Sequence, residues 1–299
     1  MESTSEREFA ISSVSYKFAD MFQTPPVVLT IAGFDPTSGA GVTADIKTIA
    51  AHGCYGVAAI TALTVQSTTE VRQVTPVEPN LLRESLDRLV ADVKVSAVHV
   101  GMLGSGEIAA VIVDFLERTS LPSLVLDTVL VSTSGTRLID DSGVRVLKEK
   151  LIPLATAITP NVDEAGVLTG LAISSPDEMK QGAERLHEMG AKGVVITGGE
   201  LDKATDILSL KSGDFQSFKS DRLDSSFTHG TGCAFSTAIA CNLAQGRPLP
   251  EAVLMAKAYV TAAIANGYPI GKGTNPVNHM YRMKNHPGGY VKKFASGRD

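Results

Sequence analysis

The sequence predicts an α/β fold in a single domain, with a mostly parallel central sheet and helices on both faces. Two observations predict it. From Val27 onward short apolar runs alternate with amphipathic stretches, and polar or glycine-rich residues gather just after each run. The runs are VVLTIA (27–32), VAAITAL (57–63), SAVHVGM (96–102), LVLD (124–127), TAIT (156–159) and GVVIT (193–197). They are rich in β-branched residues and mostly do not alternate with polar ones, as expected of strands covered on both faces.

Helical patterns separate the runs. Leu82, Leu86, Leu89 and Val93 fall on one stripe. A further helix is predicted from Ser175 as N-cap, with Pro176 at its first position and Asp177 and Glu178 in its first turn. It carries Met179, Ala183 and Leu186 on one face and stops near Gly190. After Cys233 the chain reads as helix-rich, over 233–245 and 250–266. Strands alternating with helices imply βαβ units and so parallel pairing. No repeat, low-complexity linker or break marks a second domain.

In such sheets ligands sit beyond the carboxyl ends of the strands. Gly33-Phe34-Asp35 follows the first run and Gln66 closely follows the second. Gly101-Met102 ends the third, Asp127 the fourth, Asn161 to Glu164 follow the fifth and Gly198-Gly199 the sixth. This edge is the predicted active site.

Composition narrows the class. The 299 residues are 43% hydrophobic and 20% charged, ordinary values for a globular protein with a real core. A net charge of -5, no tryptophan and few aromatics exclude a nucleic-acid partner, which needs a basic stripe or stacking platforms. The three cysteines, Cys54, Cys233 and Cys241, show no CxxC spacing, so neither a disulfide framework nor a zinc site is expected. A reducing cytoplasm fits best. The polar first residues have no signal-type apolar core, and no segment is long enough to span a membrane. Residues 1–25 read as a loosely ordered extension, 26–284 as the domain and 285–299 as a C-terminal tail.

The strongest motif is Thr228-His229-Gly230-Thr231-Gly232-Cys233, followed by the helical run AFSTAIACNLA. Two glycines let main-chain N–H groups converge at a helix start, which with the dipole makes an anion hole. Cys233 stands where a helix N-terminus lowers a thiol pKa and favours thiolate. The motif alone does not decide between a phosphate cradle and a tight turn with a small buried cysteine. Cys54 and Cys241 lack such a setting and read as core.

GFDPTSGAGVTADIK (33–47) is glycine-rich after a strand but is neither a P-loop nor a dinucleotide fingerprint. It is a turn that shapes a small-molecule pocket, with Asp45 projecting from the next helix, or a turn with a solvated helical Asp; spacing alone favours the second. In TPNVDE (159–164) a carboxylate at a strand end can organise Mg²⁺ through water. Asn161 and Glu164 also have capping-box spacing, and the reading leans to the cap, although both roles can coexist. Asp127 ends an otherwise apolar strand, which favours a metal and phosphate organiser over plain structure. Lys272, between two glycines, reaches a phosphate or is simply solvated. His229 and His279 have no metal or triad spacing and read as hydrogen-bonding or surface residues.

Taken in order, these segments resemble the hydroxymethylpyrimidine and phosphomethylpyrimidine kinases of thiamine biosynthesis, within the ribokinase-like superfamily. The matching pieces run from Leu29 to Met283: LTIAGFDPTSGAGVTADIKT, ITALTVQST, VGMLGSGEIA, LDTVLVSTSG, ITPNVDEAGVL, THGTGCAFSTAIA and GKGTNPVNHMYRM. Cysteine in the GTGC element is specific, because most ribokinase-like enzymes place Asp there. The resemblance implies that Cys233 is the base and that Gly230, Thr231 and Gly232 supply the anion hole. It implies that Asp127 and Glu164, with Asn161, organise Mg²⁺ and the triphosphate of ATP, with Lys272 and Thr197 near the nucleotide. Gly33, Asp45, Gln66, Met102 and Val129 would hold the aminopyrimidine, Asp and Gln answering its amino group and ring nitrogen. A homodimer is the expected assembly.

Four positions depart from the family pattern. Thr197-Gly198-Gly199-Glu200 stands where KGGH is frequent, so a lysine expected near the phosphates is missing. Phe34 replaces a small residue, Asn275 a glycine, and Thr128 a common proline. The implied reaction is in-line transfer of the γ-phosphoryl of ATP to a hydroxymethyl oxygen, then to the resulting phosphate. The rivals are a pyridoxine, pyridoxal or pyridoxamine kinase on the same scaffold and a non-catalytic vitamin-precursor binding protein. The missing lysine favours the last and the GTGC element opposes it.

Overall fold

The computed structural model describes residues 24–199, 204–221 and 223–285. The expected N-terminal extension and C-terminal tail lie almost wholly outside the described residues, as does Glu200. The first half of the chain runs β1 (Val27–Phe34), α1 (Gly41–Ala51), β2 (Tyr55–Gln66), β3 (Val71–Pro76), α2 (Pro79–Asp92), β4 (Ala97–Val100), α3 (Gly106–Arg118) and β5 (Leu124–Leu126). Next, α4 (Asp141–Val146) passes through a π-helical stretch into α5 (Ile152–Leu154). Then come β6 (Ala157–Ile158), α6 (Val162–Thr169), α7 (Pro176–Glu188), β7 (Gly193–Ile196), β8 (Ala204–Leu210) and β9 (Phe215–Ser220). Helices α8 (Thr231–Ala244) and α9 (Leu249–Ala265) follow, and a 3-10 turn over Tyr281–Asn285 completes the order.

The described strands form one nine-stranded sheet in the order β3-β2-β1-β4-β5-β6-β7-β8-β9. All six predicted runs are strands, and β2, β1, β4, β5, β6 and β7 pair in parallel. The three others, β3 at one edge and β8 and β9 at the other end of the sheet, pair antiparallel, and the reading of apolar runs did not find them. VRQVTP and FQSFKS are mostly exposed or half-buried, so neither shows as an apolar run.

Side chains alternate between two apolar layers, as the pleat requires. Leu29 and Ile31 of β1, Leu124 and Leu126 of β5, and Val194 and Ile196 of β7 join the layer under α2, α3, α6 and α7. Val28, Val125 and Val195 point the other way, under α8 and α9. Leu82 and Leu86 of α2 are 1% and 0% exposed, each contributing about 1.5–3 kcal/mol of burial. Val93 does not continue that helix: it is the C-cap, with φ −111° and ψ 126°. The predicted start of α7 is as expected, with Ser175 Oγ accepting from the Glu178 N–H at 3.3 Å. No described helix is long and apolar enough to cross a membrane. The carboxyl ends of the parallel strands form one edge, and the loops leaving it carry the candidate site.

Candidate active site

The turn before α8 is built by close backbone approach. Gly230 is the N-cap at φ 79°, and a Cβ there would lie 1.8 Å from the Gly39 carbonyl oxygen. No side chain caps α8; the Thr231 N–H turns back to the Thr228 carbonyl at 3.2 Å, which leaves the Gly232 and Cys233 amides as the donors an anion hole requires. The start of α1 has the same character. Ala40 caps it without a side-chain bond, and Gly41 sits at φ 62° with room for a Cβ denied by the Gly33 carbonyl, 2.2 Å away.

Cys233, the third residue of α8, is half-buried between these two helix starts. Its surroundings work against the thiolate that a helix start favours. Burial pushes the thiol well above its ordinary value, and the charges of Asp127, Asp45 and Asp35 add to the rise. The Gly41 amide works the other way and is outweighed. A helix N-terminus lowers a thiol pKa only where nearby carboxylates do not oppose it.

Asp35, which the motif reading left without a role, organises the loop after β1. Its carboxylate accepts from Thr37 N–H at 2.8 Å, Thr37 Oγ1 at 2.8 Å and Ala40 N–H at 3.0 Å. His229 Nε2 donates to it at 2.8 Å, tying this loop to the cradle turn. Burial opposes the Asp35 charge, but the bonds from His229 and Thr37 hold its carboxyl below the usual range. Lys47 Nζ closes the loop on the Ser38 carbonyl at 2.7 Å.

Three of the five residues expected around the aminopyrimidine, Gly33, Met102 and Val129, gather at one small apolar cluster. Met102 lies so close to Gly33 that a Cβ there would meet Met102 Cε at 2.3 Å. Val129 packs with Met102, Ala62, Val71 and Leu138 in a small separate cluster. Gln66 ends β2 above it: its Oε1 accepts from Thr64 Oγ1 at 3.1 Å, and its Nε2 lies 3.5 Å from His229 Nε2. A cleft of about 30 Å³ opens here between Gln66, Val71, Ser132, His229 and Thr274. Asp45 is a correction. It does not line this pocket but is 0% exposed, with Oδ2 accepting from Thr30 Oγ1 and Oδ1 from Thr237 Oγ1.

The acidic pair comes together as expected. Asp127, just past β5, accepts from Ser236 Oγ at 3.1 Å and Thr159 Oγ1 at 3.4 Å. Glu164 closes a capping box: its Oε2 accepts from the Asn161 N–H at 3.0 Å while Asn161 Oδ1 accepts from the Glu164 N–H at 2.8 Å. Thr128, the residue in place of proline, donates its hydroxyl to Glu164 at 3.3 Å. Burial and the charge of Asp127 push Glu164 up to about 8. Burial raises Asp127 to about 6, even though His99 and Ser236 act against the rise.

The remaining expected residues separate. Thr197 extends β7 and donates its N–H to the Pro160 carbonyl at 2.9 Å, next to Asn161. The turn it opens is held by Asp206, which accepts from the Gly198 N–H at 3.2 Å and pairs with Lys257 at 2.7 Å. Lys272 is exposed on a loop packed against the turn after Gln66, where Thr68 accepts from the Gly273 and Thr274 amides, and it bonds to neither Asn161 nor Thr197. Asn275, in place of glycine, shapes this loop by accepting from the Ile270 and Gly271 amides.

Residues missed in the sequence leave a recognisable trace. Thr30 and His99 are polar residues inside buried strands, each 0% exposed. Burying such groups is costly unless they are bonded, so each implied a partner.

Residues 35–278 match the family described as phosphomethylpyrimidine kinase. The thiamine biosynthesis bifunctional protein ThiED of Geobacter sulfurreducens is 45% identical over 85% of this chain, which spans about half of that relative (52%). The hydroxymethylpyrimidine/phosphomethylpyrimidine kinase of Haemophilus influenzae is 40% identical, over 84% of this chain and 96% of its own length. Among solved structures, an ADP complex of Bacillus subtilis pyridoxal kinase superimposes with a TM-score of 0.80 at 33% identity, covering 87% of this chain and all (100%) of that one.

Proposed function

This chain belongs to the phosphomethylpyrimidine kinase family, and we propose that it acts on a hydroxymethylpyrimidine. It transfers the γ-phosphoryl group of ATP to the hydroxymethyl oxygen of 4-amino-5-hydroxymethyl-2-methylpyrimidine. A second transfer, to the monophosphate, gives the diphosphate that thiamine biosynthesis uses. The observation that carries this reading is the cradle turn facing the acidic pair: a Cβ on Gly232 would lie 3.9 Å from Asp127 Oδ2.

The chain's residues mainly position groups and offset charge, as phosphoryl transfer requires. The pyrimidine lies against Met102 and Val129, with Gln66 answering its polar edge. The hydroxymethyl oxygen then faces Cys233. As the new P–O bond forms and the bond to ADP breaks, the hydroxyl proton passes to the Cys233 sulfur, which acts as the thiolate, and the Gly232 and Cys233 amides of α8 hold the charge of the transferring group. Asp127 and Glu164 suit a magnesium ion. Burial raises both carboxyls, the charge of Asp127 adds to the rise at Glu164, and no third His, Cys, Asp or Glu joins them in a metal-sized group among the described residues. Magnesium usually takes one or two protein carboxylates, leaving its other positions to water and phosphate. Held there, it would neutralise phosphate charge and relieve the carboxylates that raise the thiol. A groove of about 490 Å³ between β9 and α9, lined by Phe218, Leu223, Leu254, Lys257 and Ala262, has the size and apolar walls for the nucleoside.

The pyridoxal kinase reading is supported by the Bacillus subtilis structure, but the relatives at 40–45% identity are named for the pyrimidine or for thiamine biosynthesis. The non-catalytic reading loses its ground because cradle, thiol and acidic pair are all retained. Release of ADP by the purified protein with the pyrimidine, its monophosphate or pyridoxal tests the assignment. Turnover with pyridoxal alone would overturn it. The outer face of β2 supports pairing with a second copy, since it exposes Ile60, Leu63 and Val65 in one stripe. The cytoplasm is the proposed compartment, where ATP and reduced thiols are available.

A further inference from the structure

An unbroken polar chain crosses the apolar layer between the sheet and helices α1 and α8. Thr30 Oγ1 donates to Asp45 Oδ2 at 2.6 Å. His99 Nδ1 lies 3.2 Å from that hydroxyl and 3.4 Å from the same carboxylate oxygen. On the far side of the ring, Nε2 is 2.9 Å from Ser236 Oγ, which is 3.1 Å from Asp127 Oδ2. Thr30, Asp45, His99 and Ser236 are all 0% exposed.

Counting hydrogens assigns the ring. Each hydroxyl has one proton to give. Thr30 gives its proton to Asp45, so it can only accept from Nδ1–H. Ser236 gives its own to Asp127, a stronger acceptor than the Gly232 carbonyl at 3.0 Å, so it accepts from Nε2–H. Both nitrogens then carry hydrogen, and an imidazolium stands between two buried carboxylates. Burial opposes that charge, but Asp45 and Asp127 hold the proton on. A buried ion pair is by itself weak evidence of stabilisation, because apolar replacement of such pairs is often neutral or stabilising.

We propose that His99 is a positioning residue for phosphoryl transfer: through Ser236 it fixes the Asp127 carboxylate, and through Asp45 it anchors α1 beneath the cradle turn. The inference rests on Asp127 being the metal and phosphate organiser. It names a residue that touches neither substrate and acts from beneath the site.

The test compares full-length wild type with His99→Gln, Ser236→Ala, the double variant and Asp127→Asn, using the pyrimidine, ATP and a magnesium titration. His99→Gln and Ser236→Ala should each lower kcat about 10-fold, the usual scale for a group that orients a metal ligand. Each should raise the magnesium needed for half activation and shrink the rise in Tm that magnesium gives without substrates, while KM for the pyrimidine stays within about twofold. The double variant should be no worse than the weaker single one, because both break one link. Asp127→Asn should lose about 10²-fold or more. If Asp127→Asn keeps wild-type kcat, the reading of Asp127 fails and this inference with it. If Asp127→Asn is inactive while the other two keep wild-type kcat and magnesium dependence, or if their losses simply add, His99 has no positioning role. Should His99→Gln not fold, Ser236→Ala decides alone, since it leaves the ring in place and removes the bond to Asp127.

Discussion

The Asp35 carboxylate and the His229 imidazole meet at 2.8 Å across 194 residues of chain. This pair joins the loop after β1 to the turn before α8, so the walls of the alcohol pocket and the phosphate cradle are set against each other.

Asp35→Asn should therefore loosen the site and cost about 1–3 kcal/mol at pH 7, the range for breaking a buried hydrogen-bonded group. Its folded-state carboxyl is held low, so the stabilisation is present above the unfolded value near 3.9 and is lost as pH falls through the lower folded value. Urea unfolding at pH 7 and at pH 3 should show the gap between wild type and variant narrowing in acid. An equal gap at both would remove the ionic part of the argument.

For Cys233, replacement by Ala should cut kcat by about 10²-fold, the scale of a general base. The base must lose its proton to work, and the thiol is raised, so wild-type kcat/KM should climb toward alkaline pH. Cys233→Asp should retain turnover and move that limb to acid. Turnover near wild type in the Ala variant, or an unmoved limb in the Asp variant, refutes the base.

Glu164→Gln isolates charge from capping, because Gln serves equally at the third position of a capping box. A raised carboxyl means that the folded state holds more protons. Stability then falls as pH rises from about 4.3, the unfolded value, toward about 8. In metal-free buffer the Tm of wild type should drop between those limits more than that of the variant. Excess magnesium should raise the wild-type Tm at pH 8 and the variant's much less. Equal magnesium responses would argue against metal at Glu164.

Gly33→Ala pushes a methyl into the end of Met102. The thioether tip must shift to make room, and it lies where the pyrimidine is proposed to pack. KM for the pyrimidine should rise about 10-fold, within the range for one methylene in a tight pocket, and KM for ATP should hold. Steady-state kinetics with each substrate varied would check this. A matched rise in both would place Gly33 elsewhere in the mechanism.

Much of this was legible in the residues. Six apolar runs named the parallel strands, and Ser175 and Asn161 marked helix starts through caps that depend on neighbours three residues away. Two glycines around Thr231 announced a turn whose backbone approach the structure measures at Gly230. The edge strand β3 was not legible, because VRQVTP is mostly exposed and pairs only with β2 across a turn. Asn275 looked like a defect in a glycine loop and proves to be its organiser, which only its contacts with Ile270 and Gly271 reveal.

By itself, then, the sequence determined the parallel part of the sheet and which residues stand at its carboxyl edge, since periodicity, capping and glycine placement act over a few neighbouring residues. Only the tertiary structure decided charge and exposure. It buried Asp45, set three carboxylates against the ionisation of Cys233, and threaded His99 between two carboxylates. Those properties depend on the summed field and burial from segments far apart in the chain, and local spacing carries no record of that sum.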